Sequence, residues 1–161
     1  LEFRLSRSGE LEYIPVRAKI GADTEIKMTQ LTSSATLLAR VLISILFIVS
    51  GFGKLQDVAG FTGYMTSGGV PALFAWPTIA LEFLGGLAIL VGAFTRPVAL
   101  ALAGFTLLAA LMFHYVPADQ MQMIIFMKNF AIAGGLLILA AQGAGAYSVD
   151  ALLGRKSPSL A

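Results

Sequence analysis

Residues 71–94, PALFAWPTIALEFLGGLAILVGAF, carry one charged side chain, Glu82, across a run long enough to cross a hydrocarbon core. A water-facing helix of that length needs a polar face, and this one offers little beyond Thr78 and Glu82. Similar runs lie on both sides. Residues 41–53, extended back through Leu37, Leu38 and Ala39, give a span at about 36–55. Residues 97–118 supply one at about 97–115, and residues 120–149, interrupted by Lys128, supply one at about 121–142. Only helices or closed barrels satisfy their backbone groups inside a bilayer, and the two-residue alternation of barrel strands is missing here. The expected fold class is therefore all-α, a four-transmembrane-helix bundle with spans at about 36–55, 71–94, 97–115 and 121–142.

Composition agrees with that reading. Of 161 residues, 57% are hydrophobic and 12% charged, against roughly 25% charged in soluble domains, and the mean hydropathy is +0.83. Half the charges fall in residues 1–27, where Arg4, Arg7, Arg17, Lys19 and Lys27 face Glu2, Glu10, Glu12, Asp23 and Glu25. The first Met is Met28, where composition changes. Residues 1–27 read as a polar leader, vector-derived or translated from upstream, with a native cytosolic extension as the alternative; alternation across Ile14, Val16, Ala18 and Ile20 would suit a short strand. Residues 28–161 form the membrane domain.

The chain has no Cys and one His. It makes no disulfide, offers no thiol nucleophile and holds no cluster through thiolates. No HExxH, CxxC or Walker pattern occurs, so no metal site is expected. The net charge of +2 forms no basic run, which argues against nucleic-acid binding.

Basic residues set the orientation. Arg40, Arg96, Arg155 and Lys156 share one side, while the opposite loops carry Lys54 with Asp57 and then Asp119. Both termini are expected in the cytoplasm, in a multi-pass membrane protein. The residues that close the first span, Ser50-Gly51-Phe52-Gly53-Lys54, do not fit a signal-peptide cleavage site.

Charged groups at membrane depth are costly and by default mark a functional site. At about 1.5 Å rise per residue, Glu82 lies roughly 16 Å and Lys128 roughly 10 Å below the outer ends of their spans. Lys54 and His114 sit near outer ends, and Asn129 adjoins Lys128. These five residues are the candidates for ligand binding or proton handling, and Glu82 is expected to pair with Lys128 across the second and fourth spans. Arg40, toward the inner end, is expected to snorkel. Gly51, Gly85 and Gly86 stand one turn from the polar groups and suit close helix packing. Pro77 is expected to bend the second span, and Arg96 to anchor the inner loop.

In order along the four spans, Arg40, Ser50-Gly51-Phe52-Gly53-Lys54-Leu55, Ala80-Leu81-Glu82-Phe83-Leu84-Gly85-Gly86, Val91-Gly92-Ala93-Phe94-Thr95-Arg96, Met127-Lys128-Asn129-Phe130 and residues 143–150, GAGAYSVD, resemble the DoxX family. The resemblance covers about residues 37–153. It implies a small four-helix protein of the bacterial cytoplasmic membrane, associated with quinone-linked or oxidative-stress redox proteins, and it marks Arg40, Lys54, Glu82, Arg96, Lys128 and Asn129 as family positions. The expected function is that of a redox accessory subunit holding a quinone-like ligand in the outer half of the bundle, in contact with lipid and with a soluble or membrane redox partner. The alternatives are a non-catalytic scaffold or assembly factor for a soluble redox enzyme, and a small-molecule transporter.

Overall fold

A computed structural model describes residues 2–5, 11–14 and 16–154, with side chains from residue 24 onward. The basic pair Arg155–Lys156 lies outside the described residues. The chain divides into two compact units, Leu1–Ala35 and Thr36–Ala161.

In the first unit, strands β1 (Glu2–Leu5) and β2 (Leu11–Ile14) pair antiparallel, with Phe3 opposite Tyr13 and Arg4 opposite Glu12. Helix α1 spans Val16–Gln56, so residues 16–20 are helical rather than extended and the helix begins well before the expected Thr36. The polar residues in between do not end it, because Thr29 and Thr32 turn their hydroxyls back onto the carbonyls of Glu25 and Met28.

The second unit holds the bundle. After α1 come a short helix α2 (Val58–Ser67), a 3₁₀ turn (Ala72–Phe74), α3 (Ala75–Val91), α4 (Thr95–Ala109) running into a π-helical turn (Ala110–His114), α5 (Gln120–Gln142) and a one-turn α6 (Val149–Leu152). Four stretches are long and apolar enough to cross a membrane: Thr24–Gln56, Ala72–Val91, Thr95–His114 and Gln120–Gln142. Local chemistry sets their starts. Asp57 caps α2 through Gly60 N–H at 2.8 Å, and Asp119 caps α5 through the N–H groups of Met121 and Gln122. Pro77, expected within the second span, lies at the start of its α-helix. The α-helix begins only at Ala75, so Pro77 occupies its first turn, where a missing N–H removes no hydrogen bond.

The helices meet through small residues. A methyl group on Gly51 would lie 2.6 Å from the backbone N of Phe83, and one on Gly86 would lie 3.0 Å from that of Ile48, so these two glycines set the α1–α3 approach. Gly85 faces α4 through Leu102, and Gly135 faces Ile43 of α1. Ile89, Ala99, Leu102 and Leu136 are fully buried between them.

Arg40 fastens one end. It is 1% exposed, and its guanidinium does not snorkel. Nε donates to Ile89 O at 2.9 Å and Nη2 to Leu90 O, carbonyls of the last turn of α3; Nη1 donates to Ala144 O and Tyr147 O, beyond the end of α5. Helix ends leave carbonyls without intrahelical partners, and a five-donor guanidinium meets that need on two segments at once. The Cβ that Gly92 lacks would fall 2.8 Å from Arg40 Cζ and 2.5 Å from Ser148 Cβ, and Gly92 sits at φ +70°. Asp150 completes the knot. Its carboxylate accepts from the N–H groups of Phe94 and Thr95 at 2.8 and 2.9 Å, holding Phe94 at φ +49° and capping α4. Arg96 lies against Gly143 at the end of α5, where a cation complements the helix dipole.

Arg40→Leu is expected to lower bundle stability by about 3 kcal/mol or more, since several buried carbonyls lose a charged donor together. Gly51→Ala is expected to destabilise, whereas Gly53→Ala, with nothing within 4 Å of the added methyl, leaves stability unchanged. Thermal unfolding of the purified variants in detergent measures both.

Candidate functional site

Opposite the Arg40 knot the bundle opens. The last two turns of α1 bring Ser50 and Lys54 onto one face, four residues apart, and the Gly51 contact holds α3 close enough for Glu82 to meet them. Lys54 Nζ lies 2.6 Å from Glu82 Oε2. It donates a hydrogen bond to Ser50 Oγ at 2.6 Å, and Ser50 Oγ donates to Glu82 Oε1 at 3.3 Å. The ammonium meets Oε2 off the hydrogen-bonding axis, so that contact is an ion pair, and Ser50 supplies the directed bond. Glu82 is buried, and Lys54 keeps partial exposure toward the end of α1. The Phe61 ring of α2 lies 5.2 Å from Nζ, within cation–π range.

The sequence pairs Glu82 with Lys128; the structure pairs it with Lys54. Matched depth is not enough for contact, because α3 is pressed against α1 by Gly51 and Gly86 while Lys128 stands on α5 across a cavity. Among the described residues Lys128 makes no ion pair or hydrogen bond. Lys54 lies in the last turn of α1, as expected, and turns back to the carboxylate.

That cavity has a volume of about 1130 Å³, at the upper edge of the roughly 300–1,000 Å³ typical of small-molecule sites. Lys54, Glu82, His114, Lys128 and Asn129 all line it, as do Ser50, Thr78 and Thr106. The α1 wall is apolar, formed by Leu42, Ile45, Leu46 and Val49, and the α4 wall includes Phe105, Leu108 and Met112. Helix α2 and the turn after it close over the Lys54 end: Phe61, Tyr64 and Met65 line the cavity there, Tyr64 stacks on Phe113 at 5.1 Å, and Gly68 packs on the same ring. His114 Nδ1 lies 2.8 Å from Gln122 Oε1, tying the π-helical turn to α5.

Of the other sequence candidates, Arg40, Arg96, Gly85 and Gly86 take structural places away from the polar cluster. Residues that the sequence reading passed over are Ser50 as the bridge, Phe61 as the ring over Lys54, and Asp150 as the cap of α4. Ser50 had a visible signal in its four-residue spacing from Lys54; Phe61 and Asp150 had none, since their partners come from elsewhere in the fold.

Such an arrangement has a definite chemical capacity. Lys54, Ser50 and Glu82 make a continuous line of polar groups from the helix end into the cavity. Lys128 and Asn129 add free donors on the opposite wall.

The mutant cycle that checks the pairing has two arms. Lys54→Met and Glu82→Gln are expected to destabilise singly and to show a coupling of about 0.6–1.7 kcal/mol in the double mutant. Glu82→Gln with Lys128→Met is expected to be additive within about 0.5 kcal/mol. Coupling in the second cycle and additivity in the first would reverse the assignment.

Comparison with known proteins gives the following likenesses. The DoxX family model matches residues 35–115, which include Lys54, Glu82 and His114 but not Lys128 or Asn129. Inner membrane protein YqjF of Escherichia coli K12 is 50% identical over 129 residues, covering 80% of this chain and 99% of that protein. Inner membrane protein YphA of the same organism is 37% identical over 121 residues, 71% of this chain and 86% of that protein. A Bacillus subtilis protein named "Putative oxidoreductase CatD" is 37% identical over 76 residues, 47% of this chain and 56% of that protein. No solved structure matches.

Proposed function

Because the chain belongs to the DoxX family and is, like its Escherichia coli relatives, a multi-pass protein of the bacterial inner membrane, we propose that it is a redox-associated membrane subunit whose cavity binds a quinone-like amphiphile. One observation carries this reading: a single cavity of about 1130 Å³ combines a partly buried Lys54–Ser50–Glu82 line with an apolar wall. The name of CatD points in the same direction.

A quinone that accepts two electrons takes up two protons at its oxygens. Lys54 stands at the helix end, where protons exchange with water, and Ser50 and Glu82 carry the line inward. Asn129 and Lys128, on α5, supply N–H donors that hold a carbonyl oxygen and orient the ring. Leu46 and Val49 exclude water from its apolar side. The electrons come from a redox partner at the membrane surface. The excess of basic residues at the Arg40 end supports cytoplasmic termini, and in that orientation the cavity lies in the periplasmic half of the bilayer.

Titration of the protein in lipid nanodiscs with a short-tailed ubiquinone analogue tests the reading. Saturable binding is expected, weakened up to about tenfold by Asn129→Leu through loss of one hydrogen bond. Binding that does not saturate above the empty-disc background would overturn it.

A further inference from the structure

The charges lining the cavity do not cancel. Lys54 is neutralised by Glu82 at 2.6 Å, whereas Lys128 has no ion pair or hydrogen bond among the described residues, although it lines the same space. It stands eight residues into α5, about 12 Å from the start of the helix. An ammonium at that depth is costly unless an anion meets it. Asn129, partly buried beside it, adds two N–H donors to the same wall.

The apolar lining has a direction. Val49 lies about 8 Å and Leu42 about 18 Å along α1 from Lys54, toward the Arg40 end. Leu42, Ile45, Leu46 and Val49 follow one helical face, yet each is between 46% and 64% exposed. Among the described residues no segment covers this wall, so the cavity opens sideways into lipid along α1. At the Lys54 end, by contrast, α2 closes over it through the Phe61 contact with Lys54 and the Tyr64–Phe113 stack. Polar groups near the interface with apolar wall below reproduce the head-to-tail order of a lipid in the same leaflet.

From the unpaired Lys128 and the lipid-facing wall together, we propose that the cavity selects acidic-headed, single-chain amphiphiles, carboxylates or phosphates in class, that pass in from the leaflet beside α1. The head rests against Lys128 and Asn129 and the tail runs along Leu46 toward Leu42. This deepens the preceding reading in one respect: it rests on the same cavity holding an amphiphile, and it adds that the site discriminates by charge.

Native mass spectrometry of the full chain in phosphatidylcholine nanodiscs, corrected for empty discs, tests it with four probes: laurate, dodecyl phosphate, 1-dodecanol and inorganic phosphate. Laurate and dodecyl phosphate are expected to saturate at one per chain, about tenfold tighter than dodecanol, as one charge-assisted contact implies. Inorganic phosphate, an anion without a tail, is expected not to saturate. Lys128→Met is expected to bring both acids to the dodecanol level, and Lys128→Arg to keep the preference. Equal affinity for laurate and dodecanol, an unchanged preference in Lys128→Met, or tight binding of inorganic phosphate alone would each overturn the proposal. The ubiquinone-analogue titration separates the two readings. Quinone binding without acid preference removes this inference and leaves the quinone site standing, whereas acid binding through Lys128 that the quinone does not displace does the reverse.

Discussion

Arg40 is the constraint on which the bundle depends. Four membrane spans have almost no hydrophobic incentive to associate, because lipid chains solvate Leu and Ile as well as protein does. What fixes their arrangement must be close packing and polar contacts that lipid cannot supply. A buried guanidinium that reaches Ile89, Leu90, Ala144 and Tyr147 carbonyls meets both requirements. It joins α1 to the end of α3 and to the segment beyond α5, and Gly92 leaves it the room to do so. With Asp150 capping α4, every span is tied at that end.

The other end is different in kind. There the Lys54–Ser50–Glu82 cluster joins α1 to α3. Helices α4 and α5 pack along their apolar faces, and at this end His114 of the π-helical turn adds a contact with Gln122 of α5. Between these two pairs lies the cavity, with Lys128 and Asn129 facing it from α5. A bundle knotted at one end and paired two by two at the other has a space built into it, and the polar residues of the spans gather there. Charge at membrane depth is thereby used twice: one carboxylate steadies the α1–α3 seam, and one ammonium is left for whatever occupies the space.

Much of this was legible in the sequence, for physical reasons. Hydropathy over about 20 residues reports membrane spans directly, so four helices and their approximate limits follow from residues 36–142. Glycines one turn from polar residues read as a packing seam, and Gly51 and Gly86 lie at the close approach of α1 and α3. The partners of the charges were not legible. Depth along a helix can be counted, but rotation about its axis and neighbour order cannot, and Glu82 therefore turns to Lys54 rather than to Lys128. Arg40 shows the same limit: near a membrane surface an arginine reads as a snorkelling anchor, and only the fold brings four carbonyls around it. Pro77 reads as a kink until a 3₁₀ turn at Ala72–Phe74 delays the start of the α-helix. The family resemblance on Arg40, Ser50–Leu55 and the Glu82 segment names positions that matter without saying what each one touches.

The central claim is that these helices enclose one ligand space at the Lys54 end. The absence of Cys leaves no competing thiol, so the most direct measurement is photolabelling in nanodiscs with a photoreactive, short-tailed quinone, followed by peptide mapping. The account predicts label concentrated on residues 42–54 of α1 and 125–132 of α5, and suppressed by excess unlabelled quinone. Label spread over outward-facing residues such as Leu84, Leu100 and Ile138, with no suppression, would contradict it.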